Sequence, residues 1–123
     1  MAENREYITY SEEKGSINIS EEVVAAIAAG AALETDGVAA LYNSPARDFA
    51  EIMGKRGVSR GARIKVEEEA IVADIFVVAK SGTVLADMGK RVQGAVKAAV
   101  EATTGITVST VNIHVCSVAP SEK

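Results

Sequence analysis

Tryptophan is absent from these 123 residues, cysteine and histidine occur once each, and proline occurs twice. Each shortage removes a class of answer. A lone thiol, Cys116, cannot close an internal disulfide, which agrees with a reducing compartment. A lone imidazole, His114, cannot supply the paired or tripled histidines of common zinc centres. No apolar run approaches the roughly 18 residues that suggest a membrane span. The opening Met1-Ala2-Glu3-Asn4-Arg5-Glu6 lacks the basic-then-apolar layout of a signal peptide. These features predict a cytoplasmic protein with no direct membrane insertion. The nucleophile elbow GxSxG, the zinc helix HExxH and the dinucleotide turn GxGxxG are also missing, so the chain is not expected to be an enzyme and no cofactor is expected.

What remains is an apolar set built mostly from Ala, Val and Ile, suited to close packing of helices on a sheet. The length suits one domain with one core. Charge is uneven: residues 1–36 carry −6, residues 37–66 carry +4 and residues 67–123 carry −2, for a total of −4. Overall acidity disfavours nonspecific nucleic-acid binding, which needs many phosphate contacts, while the basic middle leaves a local patch open.

Residues 1–14 are polar and charged and read as a mobile arm, with Tyr7, Ile8 and Tyr10 as anchors. Ile17 and Ile19 alternate with polar neighbours as a short strand. Ser20 is placed to cap a helix that runs to about residue 35, with Val23, Val24, Ile27, Ala28, Ala31 and Ala32 as its apolar stripe. Ala26 and Gly30 make a nearly bare face, expected to be packed tightly inside the domain, so that Gly30→Leu should destabilise. After Gly37 a strand covers residues 38–42, and a weak helix is expected around residues 47–53. A glycine-punctuated basic loop follows, leading into a strand with Ile64 and Val66 on one side and Arg63 and Lys65 on the other. Glu67-Glu68-Glu69 turns into residues 71–79, apolar on both faces except at Asp74, as a central strand covered on both sides would be. A second helix spans about residues 84–103. The last strand sets Val111, Ile113 and Val115 against Asn112, His114 and Cys116, and residues 119–123 form a tail. Both helices exit through a glycine before a β-branched residue, Gly37-Val38 and Gly105-Ile106. The prediction is a single α+β domain over residues 15–118, a mixed sheet with two long helices in the order β-α-β-loop-β-β-α-β.

Few residues tempt a chemical reading. His114 and Cys116 lie about 7 Å apart on one strand face, with Asp74 as a third candidate ligand. Two ligands do not make a metal site, and a structural role is the better reading; no metal is expected. Gly82 to Arg91 imitates a phosphate loop but has six residues between its glycines, with Arg91 where a magnesium-binding Ser or Thr belongs. Gly54-Lys55-Arg56-Gly57 imitates the loop of KH domains, yet runs into a strand where that fold needs a helix. The candidate contact surface is therefore Lys55, Arg56, Arg60 and Arg63 around the loop, with Lys90, Arg91 and Lys97 on the second helix.

The order of short words along the chain is more specific than any one of them. Gly15-Ser16-Ile17-Asn18-Ile19-Ser20-Glu21-Glu22-Val23-Val24, Gly37-Val38, the basic glycine loop, Val72-Ala73-Asp74, Val92-Gln93, Val96-Lys97, Val100-Glu101, Thr104-Gly105 and Val111-Asn112 resemble the alkaline shock protein family of Gram-positive bacteria, associated with envelope stress. The resemblance covers about residues 15–118. It implies a small, cytosolic, noncatalytic protein, in some members held beneath the membrane by a membrane-anchored partner, so a protein partner or a second copy is expected. A nucleic-acid-binding regulator using the basic loop is the alternative.

Overall fold

In the computed structural model, residues 7–42, 58–59, 61–67 and 70–120 are described. Strand β1 (Tyr7–Glu12) pairs antiparallel with β2 (Gly15–Ser20) in a separate two-stranded sheet, with Ile8 opposite Ile19. Regular structure thus begins inside the stretch expected to be a mobile arm. The β-prone run Tyr7-Ile8-Thr9-Tyr10 outweighs the charges around it.

Helix α1 (Glu21–Leu33) starts where expected: the Ser20 Oγ accepts a hydrogen bond from the Val23 amide at 3.2 Å, and Glu21 and Glu22 occupy the first turn, where they complement the helix dipole. Its buried stripe keeps most of the expected one, with Ile27 and Ala31 half-buried against the core, but is turned away from Val23 and toward Ala25 and Ala29. Val24, Ala25, Ala28, Ala29 and Ala32 are buried, whereas Val23 is 50% exposed. Ala26 and Gly30 face solvent, and a Cβ added at Gly30 would meet nothing within 4 Å. The expectation that this bare face packs inside the domain is therefore wrong. Residues 23–33 hold no polar side chain, so hydropathy cannot phase the helix, and the sheet selects the small side chains that allow close approach.

The main sheet contains β3 (Val38–Leu41), β4 (Val58–Ser59), β5 (Ala62–Glu67), β6 (Ala70–Ala79) and β7 (Val108–Val118). β6 is its centre. Along one side of β6, β5 pairs antiparallel with residues 70–75 and β3 with residues 77–79; along the other side β7 runs parallel. The Phe76 amide donates to the Gly61 carbonyl and the Phe76 carbonyl accepts from the Tyr42 amide, both at 2.8 Å, which places β5 and β3 end to end. β4 pairs with β5 inside the segment expected to be loop. Parallel pairing of β6 with β7 requires a crossover, supplied by helix α2 (Leu85–Thr104).

Both described helices pack on one face of the sheet. Met88, Val92, Val96 and Val100 of α2 join Ile64, Ile71, Ile75 and Val77 in the core. Val72, Phe76 and Val78 on the other face are half-buried, so among the described residues full cover of β6 comes from the helix side. Gly105 closes α2 with a left-handed φ of 77°, as a helix exit of this kind requires, whereas α1 closes on Glu34 in the right-handed region and Gly37, with φ 98°, serves the turn into β3. A Cβ at Gly37 would come within 2.9 Å of Met88 Cγ, so that turn also lies hard against α2. At the other end, the Ala119 amide donates to the Ala79 carbonyl at 2.8 Å, so the sheet holds the first residue of the expected tail. The expected helix at residues 47–53, the turn at Glu68 and Glu69, and residues 121–123 lie outside the described residues.

Candidate functional site

Alternation along β6 sends Ile71, Ala73, Ile75, Val77 and Ala79 under the described helices and Asp74 and Phe76 to the opposite face. Strand register then gathers their partners. Arg63 of β5 stands opposite Asp74 on one side, and Asn112 and His114 of β7 stand opposite Asp74 and Phe76 on the other. Asn112 Nδ2 donates to Asp74 Oδ1 at 3.1 Å, His114 Nε2 lies 3.2 Å from the same oxygen, and Arg63 Nη2 lies 3.8 Å from Oδ2. An ionised carboxylate only accepts, so Nε2 carries the proton in that contact. The His114 ring stacks on Phe76 with centroids 4.6 Å apart and planes 15° from parallel, and the Arg63 guanidinium sits 5.8 Å from the Phe76 centroid.

The Asp74 side chain is 14% exposed. Burial pushes its pKa up, but hydrogen bonds from His114 and Asn112 and the charge of Arg63 outweigh that and hold the carboxyl below its ordinary range. Such a group is a poor proton donor or acceptor near neutrality and a good brace between strands. The sequence marks Asp74 as the exception in an apolar strand; its partners lie 11 to 40 residues away and only strand register reveals them. Phe76 gives no separate signal in the sequence.

The regular alternation expected to set His114 and Cys116 on one strand face is interrupted between them. Register passes from Val77 opposite Val115 to Val78 opposite Ser117, leaving Cys116 as the extra residue of a bulge, with its Sγ 3.7 Å from the His114 carbonyl. Among the described residues no three His, Cys, Asp or Glu side chains are grouped to hold a metal.

The cationic candidates separate. Lys55, Arg56 and Arg60 lie outside the described residues. Arg63 is on the Asp74 face, while Lys90, Arg91 and Lys97 are on α2, across the sheet. Arg91 Nη2 donates to the Asp36 carbonyl at 3.3 Å. Lys97 Nζ donates to Glu101 Oε2 at 2.8 Å and to the Val108 carbonyl at 3.1 Å, and Glu101 Oε2 accepts from the Val108 amide at 2.9 Å. The Lys97 ammonium, and then the Val108 amide, hold the Glu101 carboxyl below its ordinary range. Gln93 Nε2 adds a bond to the Val111 carbonyl at 3.0 Å. One edge of α2 is thus stitched to β7.

Residues 9–120 match the model of the alkaline shock protein 23 family, described by a cell envelope-related function. The chain belongs to that family. Among its relatives, the Bacillus subtilis (strain 168) protein YloU is 36% identical over 103 residues, covering 82% of this chain and 86% of YloU. The Streptococcus pyogenes (serotype M6) protein Spy1614 is 28% identical over 103 residues, covering 82% of this chain and 85% of its own length. A solved MamM CTD structure aligns with a TM-score of 0.47 at 16% identity, covering 78% of this chain and 96% of that one. Among the described residues of this alkaline shock protein 23 family member, no helix is long and apolar enough to cross a membrane.

Proposed function

We propose that this chain is a noncatalytic envelope-homeostasis protein that works by contacts with another protein, one anchored in the membrane and holding it at the inner surface. The family's envelope-related description supplies the setting. The observation that carries the noncatalytic reading is the Asp74 cluster. Its carboxylate oxygens are taken up by Asn112, His114 and Arg63 across three strands. The most developed polar arrangement among the described residues therefore stiffens a surface, and a stiff surface presents its neighbours at low entropic cost to a partner.

The test is affinity capture from the source cell's lysate and solubilised membrane fraction, with and without nuclease. Nuclease-resistant recovery of a membrane-anchored protein is the expected outcome. Recovery of RNA or DNA, abolished by nuclease, would replace this reading with that of a nucleic-acid-binding regulator.

A further inference from the structure

Between residues 23 and 33 the solvent side of α1 is apolar throughout. Val23, Ala26, Gly30 and Leu33 lie there at helical spacing, Val23 50% and Leu33 49% exposed, and no polar side chain interrupts residues 23–33. A helix on the surface of a soluble domain ordinarily turns charges outward. Here the charges stand only at the ends: Glu22 in the first turn, and Glu34 and Asp36 beyond the last, all exposed, with no basic residue in the last turn. We infer that this face is a docking surface for a partner helix whose apolar stripe is flanked at both ends by lysine or arginine.

Two arguments select that occupant. Ala26 and Gly30, one turn apart, leave a shallow groove between the larger Val23 and Leu33, and small residues at such spacing let two helix backbones approach closely. The acidic ends then decide the partner's charge. A second copy packed antiparallel about the middle of the stripe would set Glu22 against Glu34 at both ends, and parallel packing would set each acid against itself. Like charges so placed disfavour self-pairing, whereas basic flanks on a different helix meet an acid at each end. The inference depends on the proposed function only in taking the partner to be a protein.

The test uses the full chain and two synthetic helical peptides of about 15 residues, each with a leucine and alanine stripe, one ending in lysines and the other in glutamates. The lysine-ended peptide is expected to bind about tenfold more tightly at low salt. It should shift the amide resonances of Val23, Ala26, Gly30 and Leu33. A Cβ at Gly30 meets nothing within 4 Å, so Gly30→Leu should fill the groove and weaken binding by about tenfold or more while leaving the fold intact. Glu22→Lys combined with Glu34→Lys should invert the preference between the peptides. No binding of either peptide up to millimolar concentration, equal binding of both, or unchanged binding by Gly30→Leu would overturn the inference. So would sedimentation showing a dimer that Gly30→Leu dissociates, because the occupant would then be a second copy. The two readings fail separately: if Gly30→Leu captures the same membrane-anchored protein as the native chain, the docking face is wrong and the proposed function stands. If the native chain captures none, the proposed function falls whatever the peptides do.

Discussion

Helix α1 buries alanines and shows valine and leucine to solvent, whereas α2 buries Met88, Val92, Val96 and Val100 and shows Lys90, Gln93 and Lys97. Both carry glycines with open space around them, Gly30 in one and Gly89 and Gly94 in the other, so glycine itself does not distinguish them. The surroundings do. Polar side chains accompany the open glycines of α2, and some of them reach across to β7; apolar side chains surround the glycine of α1. One helix is finished within the fold, and the other presents a surface suited to something outside it.

Substitutions sharpen this contrast. Met88→Ala should have the largest effect, a loss of about 2 to 5 kcal/mol in chemical denaturation, because a large and fully buried side chain leaves a cavity beside the α1 exit. Ala28→Leu on the buried side of α1 should cost about 1 to 3 kcal/mol by the opposite mechanism, overpacking the close approach to the sheet. If Ala28→Leu were tolerated as well as a surface change, the small-residue contact would not be tight. Gly30→Leu, two residues on and on the solvent side, should raise stability by about 1 kcal/mol, since leucine favours the helix and a Cβ there meets nothing within 4 Å. A raised Tm would separate the two sides of α1 in a single experiment.

The smallest effect belongs to the stitching of α2 to β7. The folded pKa of Glu101 lies below its ordinary value, so its contribution to stability is present above the ordinary carboxylate range and disappears as pH falls through the folded value. Glu101→Gln should flatten the acid limb of a stability profile between about pH 5 and pH 3 while leaving the core intact. An unchanged profile would mean that solvent screens the pair completely.

The same contrast explains what the sequence discloses. α2 alternates polar and apolar residues at helical spacing, so its buried stripe can be read from the chain, and Asp74 declares itself against an apolar strand. In α1 every residue from 23 to 33 is apolar, and the phase of the helix is set by the sheet beneath it. The Ser20 cap and the glycines after the two helices are local devices and can be read. Arg63, Asn112 and His114 reach Asp74 through pairings of β5 and β7 with β6, and the bulge at Cys116 breaks the alternation that period-2 reading assumes. The β1 strand is hidden for another reason: of its six pairing residues only Tyr7 to Tyr10 are β-prone, and they stand between charges.

The parallel pairing of β6 with β7 also sets an order on the folding reaction. Ile71 meets Val108 and Asp74 meets Asn112, so the central ladder closes only after the whole intervening segment has been drawn in. The entropy of that closure is lost before the ladder returns any free energy, unless α2 has already shortened the path. The hairpin of β5 and β6 needs no such help. The nucleus should accordingly contain β5, β6 and α2, and truncation of Val96 should slow folding, whereas changes on the solvent side of α1 should act on the rate of unfolding. A chain that must assemble α2 early has reason to complete that helix from its own residues, and is free to leave α1 for a later encounter.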